Sequence, residues 1–331
     1  MRTLKRLLLL VSSAAILLIG WLYLHVHSDV TLPETPYEFS IRPGSSLNQV
    51  SQQLADAGIL PSKWPLIVLA RYLNLESAIK AGDYQLTETL SQRALLEYLV
   101  KGDAKQNEIK FLEGWTFTQL RKVLNEHPAV ENNTTDLSEQ EILQLIGASE
   151  TLAEGLFFPD TYYFIKGSSD IDILQRAYQT MQIHLQTSWS SRRESLPLAT
   201  PYEALILASI IEKETGIESD RAEIAGVFIN RLRKGMRLQT DPTIIYGLGE
   251  QFDGNLRKKD LLADQEYNTY TRAGLPPTPI ALPGLASIRA ALNPADTRSL
   301  YFVAKGNGQS QFSTNLADHN KAVNKYQKQQ K

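Results

Sequence analysis

The chain has 331 residues, a formal net charge of −2, no cysteine and five histidines. That length exceeds what one hydrophobic core usually serves, so two or more domains are expected. The charge balance makes no case for a nucleic-acid partner, and the lack of cysteine removes disulfides and thiol chemistry. The scattered His25, His27, His127, His184 and His319 form no H-E-x-x-H metal motif and give no reason to expect a cofactor.

Leu7 to Leu24 is an uncharged, mostly aliphatic run behind Arg2, Lys5 and Arg6. It is just long enough to span a bilayer, and the basic flank predicts a cytoplasmic N-terminus with the bulk of the chain on the far side. A cleaved signal peptide competes with this reading, but no small-x-small site follows the run. The aromatic Trp21 and Tyr23 suit an interfacial anchor better.

Val30 to Pro36 reads as an extended linker, because its prolines preclude a regular element. Tyr37 to Ile41 alternates like a strand, Pro43-Gly44 turns it, and Ser45 or Ser46 caps a helix carrying Leu47, Val50 and Leu54 and ended by Gly58. A second helix near Trp64 to Leu73 and a strand from Gly82 to Leu86 complete the order strand, helix, helix, strand. That order is similar to a LysM module, a small glycan-binding fold, and also suits a spacer domain without ligand.

The segment Pro43-Gly44-Ser45-Ser46-Leu47-Asn48-Gln49-Val50 is echoed by Glu113-Gly114-Trp115-Thr116-Phe117-Thr118-Gln119-Leu120. Each follows a strand-like run and starts a helix, so a new domain is expected to open at Glu108 after the polar linker Lys101 to Asn107. The predicted organisation is therefore α+β: residues 1–28 as tip and anchor, 29–107 as linker and LysM-like module, and 108–331 as a mixed α+β catalytic domain. Glu154 to Phe164 is the most aromatic stretch and is either core or a sugar-stacking wall. Gln186 to Thr200 reads as a polar surface connection.

Tyr202 to Thr215 is apolar around most of its circumference, the pattern of a helix buried inside a domain. Gly216 is expected to close it in the left-handed conformation. Its late charges, Glu212, Lys213 and Glu214, fall in the last turn, where the helix dipole and partial burial both disfavour an ionised carboxylate. A carboxylic acid kept protonated near neutral pH is what glycosidic-bond cleavage needs as a general acid. Positions 212 and 214 point to different sides of the helix, and periodicity alone does not choose between them.

Asp220 with Glu223 predicts a capping box for the next helix, whose stripe is Ile224, Val227, Phe228 and Leu232 and whose stop is Gly235. Arg231, Arg233, Lys234 and Arg237 cluster at its end, either compensating the dipole or attracting acidic groups. Leu238 to Pro242 supplies Gln239, Thr240 and Asp241 on a constrained turn. Tyr246, Asn268 and Tyr270 are further polar candidates. A proline-rich loop, a helix from Leu285 to Leu292, a strand from Leu300 to Ala304, a turn at Gly306-Asn307-Gly308 and a terminal helix opened by Asn315 and His319 complete the chain.

The runs Ala208-Ser209-Ile210-Ile211-Glu212-Lys213-Glu214-Thr215, Val227-Phe228-Ile229-Asn230-Arg231-Leu232 and Leu238-Gln239-Thr240-Asp241-Pro242-Thr243 resemble the endolytic murein transglycosylase family, the MltG or YceG-like proteins. Tyr267-Asn268-Thr269-Tyr270 and Gly274-Leu275-Pro276-Pro277 resemble it too. The resemblance implies a lysozyme-like buried catalytic helix and matches the family's Glu-hydroxyl pair with Glu214-Thr215. It makes Glu214 the catalytic acid, with Glu212, Gln239, Thr240, Asp241, Tyr246, Asn268 and Tyr270 around the substrate. It further implies non-hydrolytic cleavage within peptidoglycan strands, giving 1,6-anhydro ends and terminating strand growth, by a single-pass protein of the bacterial inner membrane. The catalytic part would lie in the periplasm beside peptidoglycan synthases (penicillin-binding proteins). Two other classes stay open: a two-carboxylate hydrolase with Asp241 or Asp160 as base, and a non-catalytic murein-binding anchor protein.

Overall fold

The computed structural model describes residues 28–102 and 107–328, together with Ser12, Ser13, Gly20, Trp21, Tyr23, Leu24 and Val26. Most of the apolar run Leu7 to Leu24 lies outside the described residues. Among those described, no helix is long and apolar enough to cross a membrane. The architecture is mixed α+β. It divides into a first unit, residues 1–108 with 163–168, and a second, residues 109–162 with 169–331.

In the first unit, β1 (Tyr37–Ile41) and β2 (Gly82–Leu86) pair antiparallel, Tyr37 opposite Leu86 and Ile41 opposite Gly82. Between them run α1 (Leu47–Asp56) and α2 (Trp64–Tyr72), and α3 (Gln92–Lys101) follows. Phe39, Ile41, Val50, Leu54, Leu66, Tyr84, Leu95 and Leu99 close one core. Tyr84 is carried into it because its hydroxyl donates to Lys80 O at 2.6 Å, so burial leaves no polar atom unpaired.

The echoed segments adopt the same local structure. Ser46 caps α1, accepting from Gln49 N, while Gln49 Oε1 accepts from Ser46 N at 2.8 Å. Thr116 and Gln119 make the same reciprocal box at the start of α4 (Phe117–Glu126). Gly44 and Gly114, at φ +77° and +76°, turn the chain ahead of each box. The repeated pattern is thus a repeated helix-entry device, one copy in each unit.

The second unit is helical around its core. After α4 come α5 (Glu139–Leu145), α6 (Asp170–Ser190), α7 (Pro201–Glu214), α8 (Glu218–Arg233), α9 (Asp241–Leu248), α10 (Lys258–Leu262), α11 (Leu285–Leu292) and α12 (Leu316–Val323). The hairpin of β3 (Tyr301–Ala304) and β4 (Ser310–Ser313) turns through Gly306-Asn307-Gly308, with Lys305 N donating to Gln309 O at 2.8 Å. Every residue of α7 from Ala204 to Ile211 is buried, and α6, α8, α9 and α11 pack around it. The one polar side chain in that stretch, Ser209, donates to Ile206 O at 2.7 Å and accepts from Ile280 N at 3.0 Å. A helix buried on all sides has little freedom to move, which suits a support for a reacting group.

Three local expectations are corrected. Gly216 is not left-handed; Thr215 ends α7 by turning extended, and its Oγ1 accepts from Ile217 N at 3.0 Å. The box at Asp220 and Glu223 does not form, because α8 starts three residues earlier, with Ile217 rather than Asp220 at the cap. Asp220 instead accepts from Ser310 N and Glu223 from Thr297 and Ser299, tertiary partners that local spacing cannot reveal. The polar connection begins only after Ser190, since α6 runs five residues further than its composition suggested.

Candidate active site

The end of α7 presents Glu214 to a cavity of about 620 Å3, a size suited to sugar units. Gln239, Thr240, Asp241, Tyr270, Arg231, Tyr301 and His319 also line it. The turn into α9 builds the wall facing Glu214. Gln239 sits at φ +48°, an uncommon conformation for a residue with a side chain, which lets its N–H donate to Thr269 O at 3.1 Å. Thr240 N donates to Thr269 Oγ1 at 3.1 Å, and Thr243 Oγ1 donates to Thr240 O at 2.8 Å. This buried threonine net fixes the Thr240 hydroxyl, which donates to Glu214 Oε1.

Glu214 carries a pKa raised to about 7. Burial is the largest cause and the nearby Asp241 charge adds to it; the Thr240 hydrogen bond and the Arg231 charge oppose it. Near neutral pH the group therefore holds its proton in a substantial part of the molecules. Tyr270 donates to Asp241 Oδ1 at 2.6 Å, and burial together with that bond raises its pKa, keeping it an O–H donor.

The cavity brings together Glu214, Gln239, Thr240, Asp241 and Tyr270, and leaves out four other sequence candidates. Glu212 points away from it and accepts from Gly284 N at 3.0 Å, tying the end of α7 to the start of α11. Asn268 is fully buried, donating to Ala263 O at 2.6 Å and accepting from Tyr270 N at 2.8 Å. It shapes the loop that carries Tyr270 rather than facing the cavity. Tyr246 packs edge-on against Tyr267 at 4.8 Å and hydrogen-bonds Glu154. Asp160, the other candidate base, receives Thr161 N at 2.7 Å and lies outside the cavity wall. The Glu-hydroxyl pair is also rearranged: the Thr215 hydroxyl caps the chain behind Glu214, and the hydroxyl on the acid is Thr240's.

Sequence reasoning had Arg231 only as one of four clustered charges that compensate the dipole or attract acidic groups, and of these it alone lines the cavity; Tyr301, His319 and a second perturbed acid, Glu154, were missed. The last is buried, accepts from Phe117 N at 3.1 and 3.2 Å at the start of α4, and has its pKa raised to about 7, chiefly by burial. Its only signal in the sequence was a charge inside an otherwise aromatic stretch.

A carboxylic acid with its pKa raised to about 7, in the wall of a cavity at the end of a buried helix, is the kind of group that enzymes use for proton transfer. Residues 39–325 match the model of the YceG-like family. The chain is 31% identical over 311 residues to the endolytic murein transglycosylase of Bacillus subtilis (strain 168), covering 88% of this chain and 85% of that protein. It is 28% identical over 316 residues to the protein so named in Streptococcus pneumoniae serotype 2 (strain D39), covering 86% of this chain but only 57% of the pneumococcal one. A crystal structure of a yceG-like protein from Listeria monocytogenes is similar at a TM-score of 0.55 and 30% identity, covering 86% of this chain and 98% of that one. The chain belongs to the YceG-like family.

Proposed function

We propose that the protein is an endolytic peptidoglycan lytic transglycosylase that cleaves the bond between N-acetylmuramic acid and N-acetylglucosamine within glycan strands. The observation that carries this reading is Glu214, half-buried at the end of α7, bonded to Thr240 and titrating at about 7. The names of the bacillary and pneumococcal relatives support the same substrate. Protonated Glu214 gives its proton to the glycosidic oxygen as the bond from the muramyl C1 to that oxygen breaks. The Glu214 carboxylate then takes the proton of the C6 hydroxyl on the same muramyl residue, whose oxygen bonds to C1 and closes the 1,6-anhydro ring. The acid is regenerated and no water is consumed.

An uncharged N-terminal run behind basic residues supports anchoring in the bacterial inner membrane with the catalytic unit in the periplasm. There the enzyme would end strand growth beside the peptidoglycan synthases. The strand-helix-helix-strand order of the first unit supports a LysM-like module that holds glycan. A hydrolase remains the second reading because Asp241 shares the cavity with Glu214 and could serve as base for a water. Mass spectrometry of products from purified murein separates the two. Anhydromuramyl ends are expected, and reducing ends would replace the lyase by a hydrolase.

A further inference from the structure

Arg231 is only 7% exposed, yet no ion pair reaches it among the described residues. Its Nε donates to Leu300 O at 2.7 Å and its Nη1 to Leu238 O at 2.7 Å, which pin the plane of the guanidinium. Among the described residues its Nη2 makes no hydrogen bond, and the residue lines the cavity that holds Glu214. The ring of Tyr301 lies beneath it at 5.2 Å, and His319 stacks on the same ring at 5.1 Å with its buried Nδ1 unpaired. Glu214, the acid whose charge acts on it, has its own pKa raised to about 7 and so offsets the cation only in part near neutral pH. A buried cation with only a partial counter-charge gains from a bound anion, and a fixed guanidinium edge is the best protein match for a carboxylate.

We propose that Arg231, backed by Tyr301 and His319, is an anion subsite that binds a carboxylate carried by the sugar being cleaved. This rests on the reading of the substrate as murein. Its muramyl unit carries a lactyl carboxylate when the glycan is stripped of peptide, and stem-peptide carboxylates when it is not. Arg231 recognises the carboxylate, so it selects substrate and does not transfer the proton.

The test is binding by the Glu214→Gln protein, which cannot turn substrate over. Affinity is measured for stripped glycan against the same glycan with its lactyl carboxyls reduced to alcohols. A second pair sets peptide-bearing glycan against the same material with its stem carboxyls amidated. Neutralisation should weaken binding about 10-fold in the pair that contains the recognised group, as expected for a charge-assisted hydrogen bond. Which pair responds identifies the source. Arg231→Gln added to Glu214→Gln should erase that difference. If it unfolds the protein, as judged by circular dichroism, Arg231→Lys takes its place and should retain only part of it. Equal affinity within both pairs, or a difference untouched by the folded Arg231 variant, overturns the proposal. Loss of the lyase reading would show separately, as reducing ends from the wild type.

Discussion

Glu214 is acted on by neighbours of opposite sign, and each can be removed. The acid must be protonated to act, so activity is expected to fall as pH rises through about 7. Thr240→Val deletes a bond that favours the ionised form and should move this alkaline limb up. Asp241→Asn removes a charge that disfavours it and should move the limb down. pH–rate profiles check both signs; loss of all turnover in Asp241→Asn would instead favour the hydrolase. Glu214→Gln should lower turnover by about 10²–10⁴-fold or more, because one group serves both proton transfers. Glu212→Gln should cost far less, acting through its bond to Gly284 N, and kinetics on purified murein decide between them. The reverse ranking would remove Glu214 from the mechanism.

The same burial has a thermodynamic consequence. The carboxyls of Glu214 and Glu154 both have folded pKa values raised to about 7, so the folded state holds protons that the unfolded chain gives up above about 4.5. Their ionisation penalty is absent below that lower value, grows between the two, and is complete above about 7. Glu154→Gln should therefore stabilise the protein at pH 8 by roughly 2 kcal/mol and have little effect at pH 4. Denaturant melts at the two pH values measure it.

The helices around the site owe their positions to close approaches as much as to apolar area. Gly226 lets α8 touch the 295–297 segment: a Cβ there would meet Thr297 Cγ2 at 2.6 Å and Ala295 O at 3.0 Å. The second contact is backbone and cannot turn aside, so Gly226→Ala should destabilise by about 1–3 kcal/mol, read as a fall in melting temperature. The periodic stripe of α8 was legible in the sequence, as were the apolar girth of α7 and both helix-entry segments. Legibility ended where a polar side chain had a distant partner. Asp220 and Glu223 have the spacing of a capping box, but Ser310, Thr297 and Ser299 take their carboxylates, because tertiary bonds outcompete a local cap once the chain is folded.

All residues lining the Glu214 cavity belong to the second unit. Deleting Val30 to Lys105 with the N-terminal run kept should thus lower activity on intact murein yet leave measurable anhydro-end formation. A folded deletion protein with none would show that the first unit helps build the site. The uncharged run from Leu7 to Leu24 predicts a single retained span, and recovery of a soluble protein trimmed near residue 28 would contradict it.

Composition, periodicity and motif resemblance were enough for the mixed α+β class, the buried helix ending in two glutamates and the murein-active family. Those features are local or additive along the chain, so they survive without coordinates. That Glu212 turns to Gly284 N, that Thr240 rather than Thr215 supplies the hydroxyl on Glu214, and that Asn268 and Tyr246 brace loops were decided only by folding. So was the conversion of Arg231 from an apparent helix-end charge into a buried cation at the cavity wall. Each depends on the direction of a side chain relative to segments tens of residues away. Burial and partnering set the chemistry of a polar group, and neither is a property of its sequence neighbours.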